Sequence, residues 1–580
     1  MKFSKVAEYF ERITHVSSRL AMTELFSSLL KESKPEEARI ICYFAMGSLR
    51  APYQGTQFTV AEKTLAAIVS ILVDQSPIEV IKNARALGDL GNVLLQFKPV
   101  SETENPNLLD VYQELVEIEA LSGTGSQETK AVRIGRLLKN IDPISGQYII
   151  RIILGTLRLG LSDMTIIDAL SWQVAGNKTH RETIEHAYNM CADIGAIAAL
   201  VNEFGLDGVK DISIVPGIPV RPAAAERLPT AKDIFDKIGP CVSQPKLDGF
   251  RLQIHLDYRN NEKKVWFFSR NLINMSGIFP DLVKALDDLP VETIIFEGEA
   301  IGYDEETGNF VPFQETVKRK RKHGVEEAAT EMPLKLFVFD LLYLNGQSMI
   351  AKAHHTRREH IEKLFPPYHT ATVSAIDEKS IQVVEDLEKL FLESIESGLE
   401  GLVVKKPDSR YQPGKRNFSW IKLKRHGQGE LEDTIDVVIL GYYRGSGKRS
   451  AFGIGALLVG VYNKRRDVFE TLAKIGTGLK DDDWIDAKKR LDKIKVSYQP
   501  QNIVCAKELY PDVWVNPELV CMVKADEITL SPLHTAGKTD HLGFALRFPR
   551  FIEYRTDKSA ADVTTTHEIM TMFKNQKVRE

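Results

Sequence analysis

The sequence predicts a multi-domain protein of three parts: an all-helical part, a part of mixed helices and strands, and a small β-barrel. Its 580 residues are too many for one hydrophobic core, because single cores stop growing at about 250–300 residues. Apolar residues recur at helical spacing up to about residue 217, and strand-like alternation dominates after it. We therefore predict domains at residues 1–217, 218–425 and 426–580.

The composition indicates an ordinary soluble protein and excludes several other classes. With 43% hydrophobic and 27% charged residues, the chain is not of the disordered type. It contains no apolar run long enough to cross a membrane. Its five cysteines form no Cys-x-x-Cys pair, which argues against a disulfide framework or a zinc site. The net charge of −4 leaves nucleic-acid binding to local basic patches.

The helical part contains two turns with clear helix signals. The stretch Ser122-Gly-Thr-Gly-Ser126 is expected to open a helix that runs to Leu138. Further on, Gly160 is typical of a helix C-terminal stop and Ser162 of the N-cap of the next helix. Helix starts of this kind present free backbone N–H groups, which can bind a phosphate.

Basic residues are concentrated around these turns. Between residues 130 and 158 they are opposed only by Asp142, a balance that suits contacts to the phosphates of duplex DNA. The alternative is a solvated helix face, which contacts no nucleic acid. The candidates for DNA binding are Lys130, Arg133, Arg136, Arg151 and Arg158.

The middle part is organised around a lysine in the stretch Gln244-Pro-Lys246-Leu-Asp-Gly-Phe-Arg251. The residues after it alternate apolar and polar as a half-buried strand does, so Lys246 is placed at a turn or strand end feeding a sheet. A lysine in such a place is a candidate nucleophile, provided that its amine is neutral when it attacks. Taken alone, the motif favours a solvated lysine on an exposed turn, and only the downstream segments favour a nucleophile.

Several downstream segments add charged side chains to the same part. Arg270 follows a strand-like run, and Glu297 and Glu299 alternate in another strand, so both lie on one face. A long apolar strand runs from Leu334 to Tyr343. Glu400 precedes an apolar strand, and eight Lys or Arg against the single Asp408 make residues 401–426 a basic patch. Within that patch, Lys422 and Lys424 share a face.

The last part returns to short strands separated by glycine-rich turns. Residues 436–443, 455–462 and 517–524 have strand character, and Arg444-Gly-Ser-Gly-Lys448 is a turn between two of them. Several short strands with turn signals predict a small β-barrel. The final residues have a helical pattern.

The order and spacing of these segments resembles the ATP-dependent DNA ligases of the archaeal and eukaryotic three-domain type, and the resemblance covers nearly the whole chain. It implies an all-α DNA-binding domain, an α+β nucleotidyltransferase (adenylation) domain and a β-barrel OB-fold domain. It also implies an enzyme that seals nicks in double-stranded DNA through a lysine–AMP intermediate and an adenylated 5′-phosphate, in replication, repair and recombination.

The resemblance assigns roles residue by residue. Lys246 would be the catalytic nucleophile, Glu299 and Glu400 would bind the metal ion, and Arg555 and Lys558 would orient the departing pyrophosphate. At Gln244, where the adenine amine would be read, the sequence departs from the family, which commonly has Glu; a Gln carbonyl can accept the same hydrogen bond. The residues implied for ATP or AMP are Gln244, Lys246, Arg251, Arg270, Glu299, Phe339, Arg416, Lys422 and Lys424.

The resemblance also implies cofactors, partners and location. The cofactors are ATP and Mg²⁺, with Mn²⁺ as a substitute, and the partner is nicked double-stranded DNA. A sliding clamp is a further expected partner, although no clamp-binding peptide is evident, and a monomer without membrane contact is expected. The protein would be cytoplasmic and nucleoid-associated in an archaeon, or nuclear in a eukaryote. Whether ADP, GTP or NAD replaces ATP stays open.

Two other functions compete with this one. An RNA ligase or capping-type nucleotidyltransferase also uses Lys-x-Asp-Gly, but such enzymes generally lack the helical part. A catalytically silent DNA-binding scaffold would keep the basic helices and lose the nucleophile or the metal ligands, all of which this sequence retains.

Overall fold

The structure of the chain is a computed structural model. The structure describes all residues except 100–102, 260–261, 304–309, 312–315, 317–318, 320, 322–323, 367–371, 398, 425–433, 446, 540–541 and 579–580. The predicted domain boundary between residues 425 and 426 therefore lies outside the described residues.

The first part is helical, as predicted. Its first helix shows why: Phe3, Val6, Phe10 and Ile13 recur every three or four residues and are all fully buried. The helices are Phe3–Thr14, Arg19–Lys31, Pro35–Ala45, Glu62–Leu72, Pro77–Leu87, Leu90–Phe97, Leu108–Ala120, Ser126–Asn140, Pro143–Ile153, Asp163–Ala175, Arg181–Met190, Ile194–Phe204 and Asp207–Lys210.

The two turns singled out in the sequence are partly as expected. A helix does begin at Ser126, and Ser162 does cap the helix 163–175 through a hydrogen bond from the Thr165 N–H. Gly160 does not end a helix, however. The preceding helix already ends at Ile153 and is followed by Gly155 in the left-handed conformation, with φ of 67°.

The middle part contains two sheets flanked by helices. The helices are Ala231–Ile238, Pro280–Ala285, Val325–Glu331, His354–Leu364 and Val384–Glu396. The strands are β1 (Ala224–Arg227), β2 (Cys241–Pro245), β3 (Phe250–Asp257), β4 (Lys264–Ser269), β5 (Thr293–Gly302), β6 (Leu334–Leu344), β7 (Gln347–Ser348), β8 (Val373–Ala375), β9 (Lys379–Ile381), β10 (Gly401–Lys405) and β11 (Arg416–Lys424). One sheet has the strand order β1-β11-β10-β2-β9, and the other β4-β3-β5-β6-β7 with β8 beside β6.

A buried ion pair attaches the helix 354–364 to β6. Arg357 of the helix donates to both carboxylate oxygens of Asp340, at 2.6 and 3.0 Å, and neither side chain is exposed. The Arg357 charge, opposing the effect of burial, holds the pKa of Asp340 well below its usual range. The pair therefore positions His354, at the start of the helix, relative to the sheet.

The C-terminal part is rich in strands, with helices at Asp481–Asp492 and Thr566–Val578. The strands are β12 (Ile435–Tyr443), β13 (Ala456–Asn463), β14 (Val468–Ile475), β15 (Lys495–Val496), β16 (Ile503–Val504), β17 (Val513–Val515), β18 (Val520–Lys524), β19 (Glu527–Ser531), β20 (Ala536–Thr539), β21 (Leu542–Arg547) and β22 (Arg550–Tyr554). The main sheet curls: the first half of β12 pairs with β18 and the second half with β17, while β13 lies on the other side. A smaller sheet has the order β19-β21-β20.

By its internal contacts the chain divides into two compact units. The first comprises residues 1–68 and 99–425, and the second residues 69–98 and 426–580. This division does not separate residues 1–217 from 218–425, so the three-domain boundaries stay a prediction. All five cysteines are unpaired. Within the described ranges, no single helix is long and apolar enough to span a membrane. The helices 62–72 and 77–87 meet the length and composition requirements only when they are taken together, and they are bent by 105° relative to each other.

Candidate active site

A cavity of about 480 Å³ lies in the first unit, and strands of both middle sheets form its wall. β2 and the loop after it contribute Gln244 and Lys246, while β3 and β5 contribute Arg251 and Glu299. The remaining predicted nucleotide-binding residues in its wall are Arg270, Phe339, Arg416 and Lys422. The cavity thus brings together residues spread over nearly two hundred positions of the sequence.

Lys246 follows the last residue of β2 and is held by backbone and side chain. Its N–H donates to the Gly401 carbonyl at 2.9 Å, and its ammonium group contacts one carboxylate oxygen of Glu400. The other Glu400 oxygen contacts the ammonium group of Lys424. Glu400 therefore lies between two amines, and three predicted site residues form one continuous ion-pair chain.

Glu299 is the second carboxylate beside Lys246. The Gly249 N–H donates to its Oε1 at 3.1 Å, which ties β5 to the loop that follows Lys246. Burial raises the pKa of the Glu299 carboxyl to about 7, although the charges of Lys246 and Arg251 act in the opposite direction. A cation bound next to Glu299 would favour its ionised form.

Positive charge is concentrated around Lys422 in the cavity wall. The pKa of the Lys422 amine is lowered, and burial is the largest cause. Nearby positive charges lower it further, those of Lys424, Arg416, Lys246 and Arg270. Because like charges are unfavourable at close range, such a cluster is suited to an anion with several charged oxygens.

Arg251 is fixed by a carboxylate behind it. Its guanidinium donates to both oxygens of Glu297, at 3.1 and 2.9 Å, and to the Ala223 carbonyl at 2.8 Å. The Tyr411 hydroxyl donates to Glu297 at 2.9 Å. Glu297 therefore positions Arg251, whereas its strand neighbour Glu299 lines the cavity.

Two cavity residues were missed in the sequence, Lys405 and Trp420. The Lys405 ammonium donates to the Phe339 carbonyl at 2.9 Å and lies 4.3 Å from the centre of the Trp420 ring. Burial lowers the pKa of Lys405 to about 8, against the opposing charge of Asp340. The available signal was a lysine at the end of the apolar strand β10, a place where a charged side chain needs a partner.

Two residues predicted to bind DNA are buried, which corrects the prediction for them. Lys130 is 2% exposed, and its ammonium donates to the carbonyls of Phe58 and Glu119 and to the Thr59 hydroxyl. Arg151 is 5% exposed and lies 5.2 Å from the centre of the Tyr148 ring. These side chains hold the helical part together, because charged groups are buried only where polar or aromatic partners receive them.

The other three predicted DNA contacts differ in exposure. Arg133 is bound by Glu114 at 2.6 Å and Glu117 at 2.8 Å, so its charge is largely balanced. Arg136 is exposed on the same helix. Arg158 is half-buried, with a left-handed backbone at φ of 61°.

Arg555 and Lys558 lie in the second unit, where both contact one acidic residue. The Arg555 guanidinium donates to the two Asp436 oxygens at 3.2 Å, and the Lys558 amine donates to Asp436 at 2.6 Å. The two basic groups thus lie side by side.

Comparison with known proteins gives one consistent answer along the chain. Three family models match: "DNA ligase N terminus" at residues 2–171, "ATP dependent DNA ligase domain" at 222–424 and "ATP dependent DNA ligase C terminal region" at 450–558. A protein of Dictyoglomus turgidum named "Probable DNA ligase" is 42% identical, over 100% of this chain and 98% of the relative. The DNA ligase of Sulfolobus acidocaldarius is 36% identical, over 99% and 98%.

Solved structures agree on the fold. The structure named "Pmar-Lig_PreS3" covers 95% of this chain and 99% of its own, with a TM-score of 0.55 at 17% identity. Because the relatives match from end to end at well above 30% identity, the chain belongs to the family of ATP-dependent DNA ligases.

Proposed function

We propose that Lys246 takes AMP from ATP and that the chain then uses this AMP to seal a nick in double-stranded DNA. The observation that carries the proposal is the position of the Lys246 amine, in a cavity and close both to two carboxylates and to a cluster of cations. In the first step the neutral amine attacks the α-phosphorus. A nitrogen–phosphorus bond forms, the bond to the oxygen bridging the α- and β-phosphates breaks, pyrophosphate leaves and the amine releases a proton.

The next two steps transfer the same AMP. The 5′-phosphate at the nick attacks the lysine-bound phosphorus and regenerates Lys246. The 3′-hydroxyl then attacks the adenylated 5′-phosphate, joins the strand and releases AMP. In all three steps negative charge grows on phosphate oxygens, and Lys422, Lys424 and the arginines Arg270 and Arg416 are placed to stabilise it.

The residues present fit a magnesium ion. Mg²⁺ is usually bound by one or two carboxylates together with phosphate oxygens and water, and Glu299 and Glu400 supply two carboxylates beside Lys246. Among the described residues, no group of three or more His, Cys, Asp or Glu side chains is arranged to hold a metal ion by itself. Phosphate oxygens of the nucleotide would therefore supply further ligands. When bound, Mg²⁺ or Mn²⁺ neutralises charge on the phosphates.

The remaining parts of the proposal concern organisation. We keep the three domains at 1–217, 218–425 and 426–580, with an OB-fold as the last and Arg555 and Lys558 as the pair that orients pyrophosphate. To do so, the pair would exchange Asp436 for a phosphate anion. The working form would be a monomer on nicked DNA, with a sliding clamp as a further partner, and its location would be the compartment that holds the DNA.

A labelling experiment tests this function. The purified protein is incubated with α-labelled ATP and Mg²⁺, or with EDTA instead of Mg²⁺, and run on a denaturing gel, with a nicked duplex added to a second sample. We expect a labelled band that requires Mg²⁺ and is discharged by nicked DNA with formation of sealed product. Label that moves only to RNA ends would favour an RNA ligase, and no labelling at all would favour the silent scaffold.

DNA binding gives a separate prediction for the helical part. Arg136 and Lys139 are both exposed on the helix 126–140. If each contacts a phosphate, the double variant Arg136→Ala, Lys139→Ala should lower the slope of log affinity against log salt by about 0.9 per contact. Fluorescence titrations of a nicked duplex at several salt concentrations measure this slope. Lys232→Ala, which removes an exposed, ion-paired lysine from another helix, is the control; an unchanged slope in the double variant would identify a solvated face.

A further inference from the structure

Gln244 lies in the cavity wall two residues before Lys246, and its amide is bound from behind. The side chain is 2% exposed, and its Nε2 donates to Oε2 of Glu378 at 2.6 Å. Glu378 belongs to the connection between β8 and β9. The short contact joins two segments that are more than a hundred residues apart in the chain.

Glu378 is itself held by a histidine. His354 is 1% exposed, and its Nε2 lies 2.8 Å from the same Glu378 oxygen. Burial lowers the pKa of His354, so the neutral ring donates through Nε2. Burial alone would raise the pKa of Glu378, but the His354 hydrogen bond and the nearby Lys405 charge bring it below its ordinary value. Glu378 is therefore an ionised carboxylate that only accepts hydrogen bonds.

This partner decides which way the Gln244 amide faces. An amide can present either its NH₂ or its carbonyl to a ligand by turning about its last bond, and the hydrogen-bond network selects the orientation. Because Glu378 only accepts, the NH₂ must face Glu378. The carbonyl oxygen is then left to hydrogen-bond a ligand in the cavity.

The orientation matters because the two purines carry opposite groups at the same position. Adenine has an amino group there, which donates, and guanine has a carbonyl oxygen, which accepts. A Gln free to turn would pair with either base. A Gln with its carbonyl fixed toward the nucleotide pairs with adenine and repels guanine.

We propose that Glu378, supported by His354, is a positioning residue that selects ATP over GTP by holding the Gln244 carbonyl toward the base. The proposal rests on the function proposed above, because it concerns the nucleotide that Lys246 takes up. It also explains how a Gln can occupy this position. A Glu there would accept a hydrogen bond through either carboxylate oxygen and would need no residue to orient it, whereas the Gln244 amide must be oriented.

The test exchanges the two side chains. The efficiency of Lys246 labelling, as the second-order rate constant for attachment of the nucleotide, is measured with α-labelled ATP and with α-labelled GTP at saturating Mg²⁺. The chains compared are the unmodified protein, Glu378→Gln, Gln244→Glu and the double variant Gln244→Glu, Glu378→Gln. Asp377→Asn is the matched control, since it removes the same charge from the exposed neighbouring residue.

Each variant has a distinct expected result. Glu378→Gln should reduce the ratio of ATP to GTP labelling efficiency at least about tenfold. The Gln244 amide could then turn its NH₂ toward guanine, so that binding GTP would no longer leave a polar group unpaired. Gln244→Glu should reduce ATP efficiency at least about tenfold, because two carboxylates then face each other. The double variant should recover most of this loss, because the new amide at position 378 can donate to the new carboxylate at position 244. Asp377→Asn should change neither value.

The results separate this proposal from the function on which it depends. An unmodified protein that is not labelled by ATP would overturn the proposed function and, with it, this inference. Normal ATP labelling with an unchanged ATP to GTP ratio in Glu378→Gln would overturn the inference alone. If Glu378→Gln is labelled by neither nucleotide, the double variant decides: recovered, ATP-selective labelling supports the positioning role, and its absence overturns it.

Discussion

Replacing Lys246 with Ala should abolish the covalent attachment of AMP to the protein. The amine nitrogen of Lys246 forms the bond to the α-phosphorus, and the methyl group of alanine cannot replace it. Lys424, the other amine on the Glu400 carboxylate, is the last residue of β11, whereas Lys246 follows β2. Denaturing gels after incubation with α-labelled ATP and Mg²⁺ measure the attached AMP, and we expect none above background.

The same variant should keep its fold and its affinity for nicked DNA. Lys232→Ala is the control, because it removes an exposed lysine of the first unit and should be labelled normally. A thermal unfolding curve close to that of the unmodified protein would show that the loss is chemical. Labelled Lys246→Ala would mean that another residue is the nucleophile.

Replacing Glu400 with Gln should slow adenylation at least about a hundredfold, a loss typical of removing one preorganised charged group from an active site. The amide keeps the shape of the side chain but removes the charge that two amines share, those of Lys246 and Lys424. It also removes one of the two carboxylates proposed for Mg²⁺. Single-turnover labelling over a range of Mg²⁺ concentrations measures both the rate and the metal requirement.

The outcome of this variant distinguishes two roles of Glu400. A slower rate that partly recovers at high Mg²⁺ would support metal binding. A rate equal to or faster than that of the unmodified protein would contradict the prediction, and would mean that Glu400 mainly keeps the Lys246 amine charged. Glu393→Gln, an exposed glutamate on the helix 384–396, is the control and should leave the rate unchanged.

Local patterns in the sequence were sufficient to predict the helical, mixed and strand-rich parts and the pairs of side chains that share one face of a strand, whereas the roles of the cavity residues came from the resemblance to the DNA ligases. The period of two in a strand places Glu297 and Glu299 on one face, and in the structure one holds Arg251 while the other lines the cavity. The same period places Lys422 and Lys424 together, beside Glu400 and the cavity. Such features follow from backbone geometry over a few residues, which any one segment specifies by itself.

Features that depend on packing between distant segments were not predictable in this way. The sequence places Lys130 and Arg151 in a stretch rich in basic residues, but only the packing of neighbouring helices decides that both side chains are buried. In the same way, Glu378 and His354 have no motif in the sequence, and the fold brings them to Gln244. A residue's burial and partners are set by which elements pack on it, and therefore by the tertiary structure.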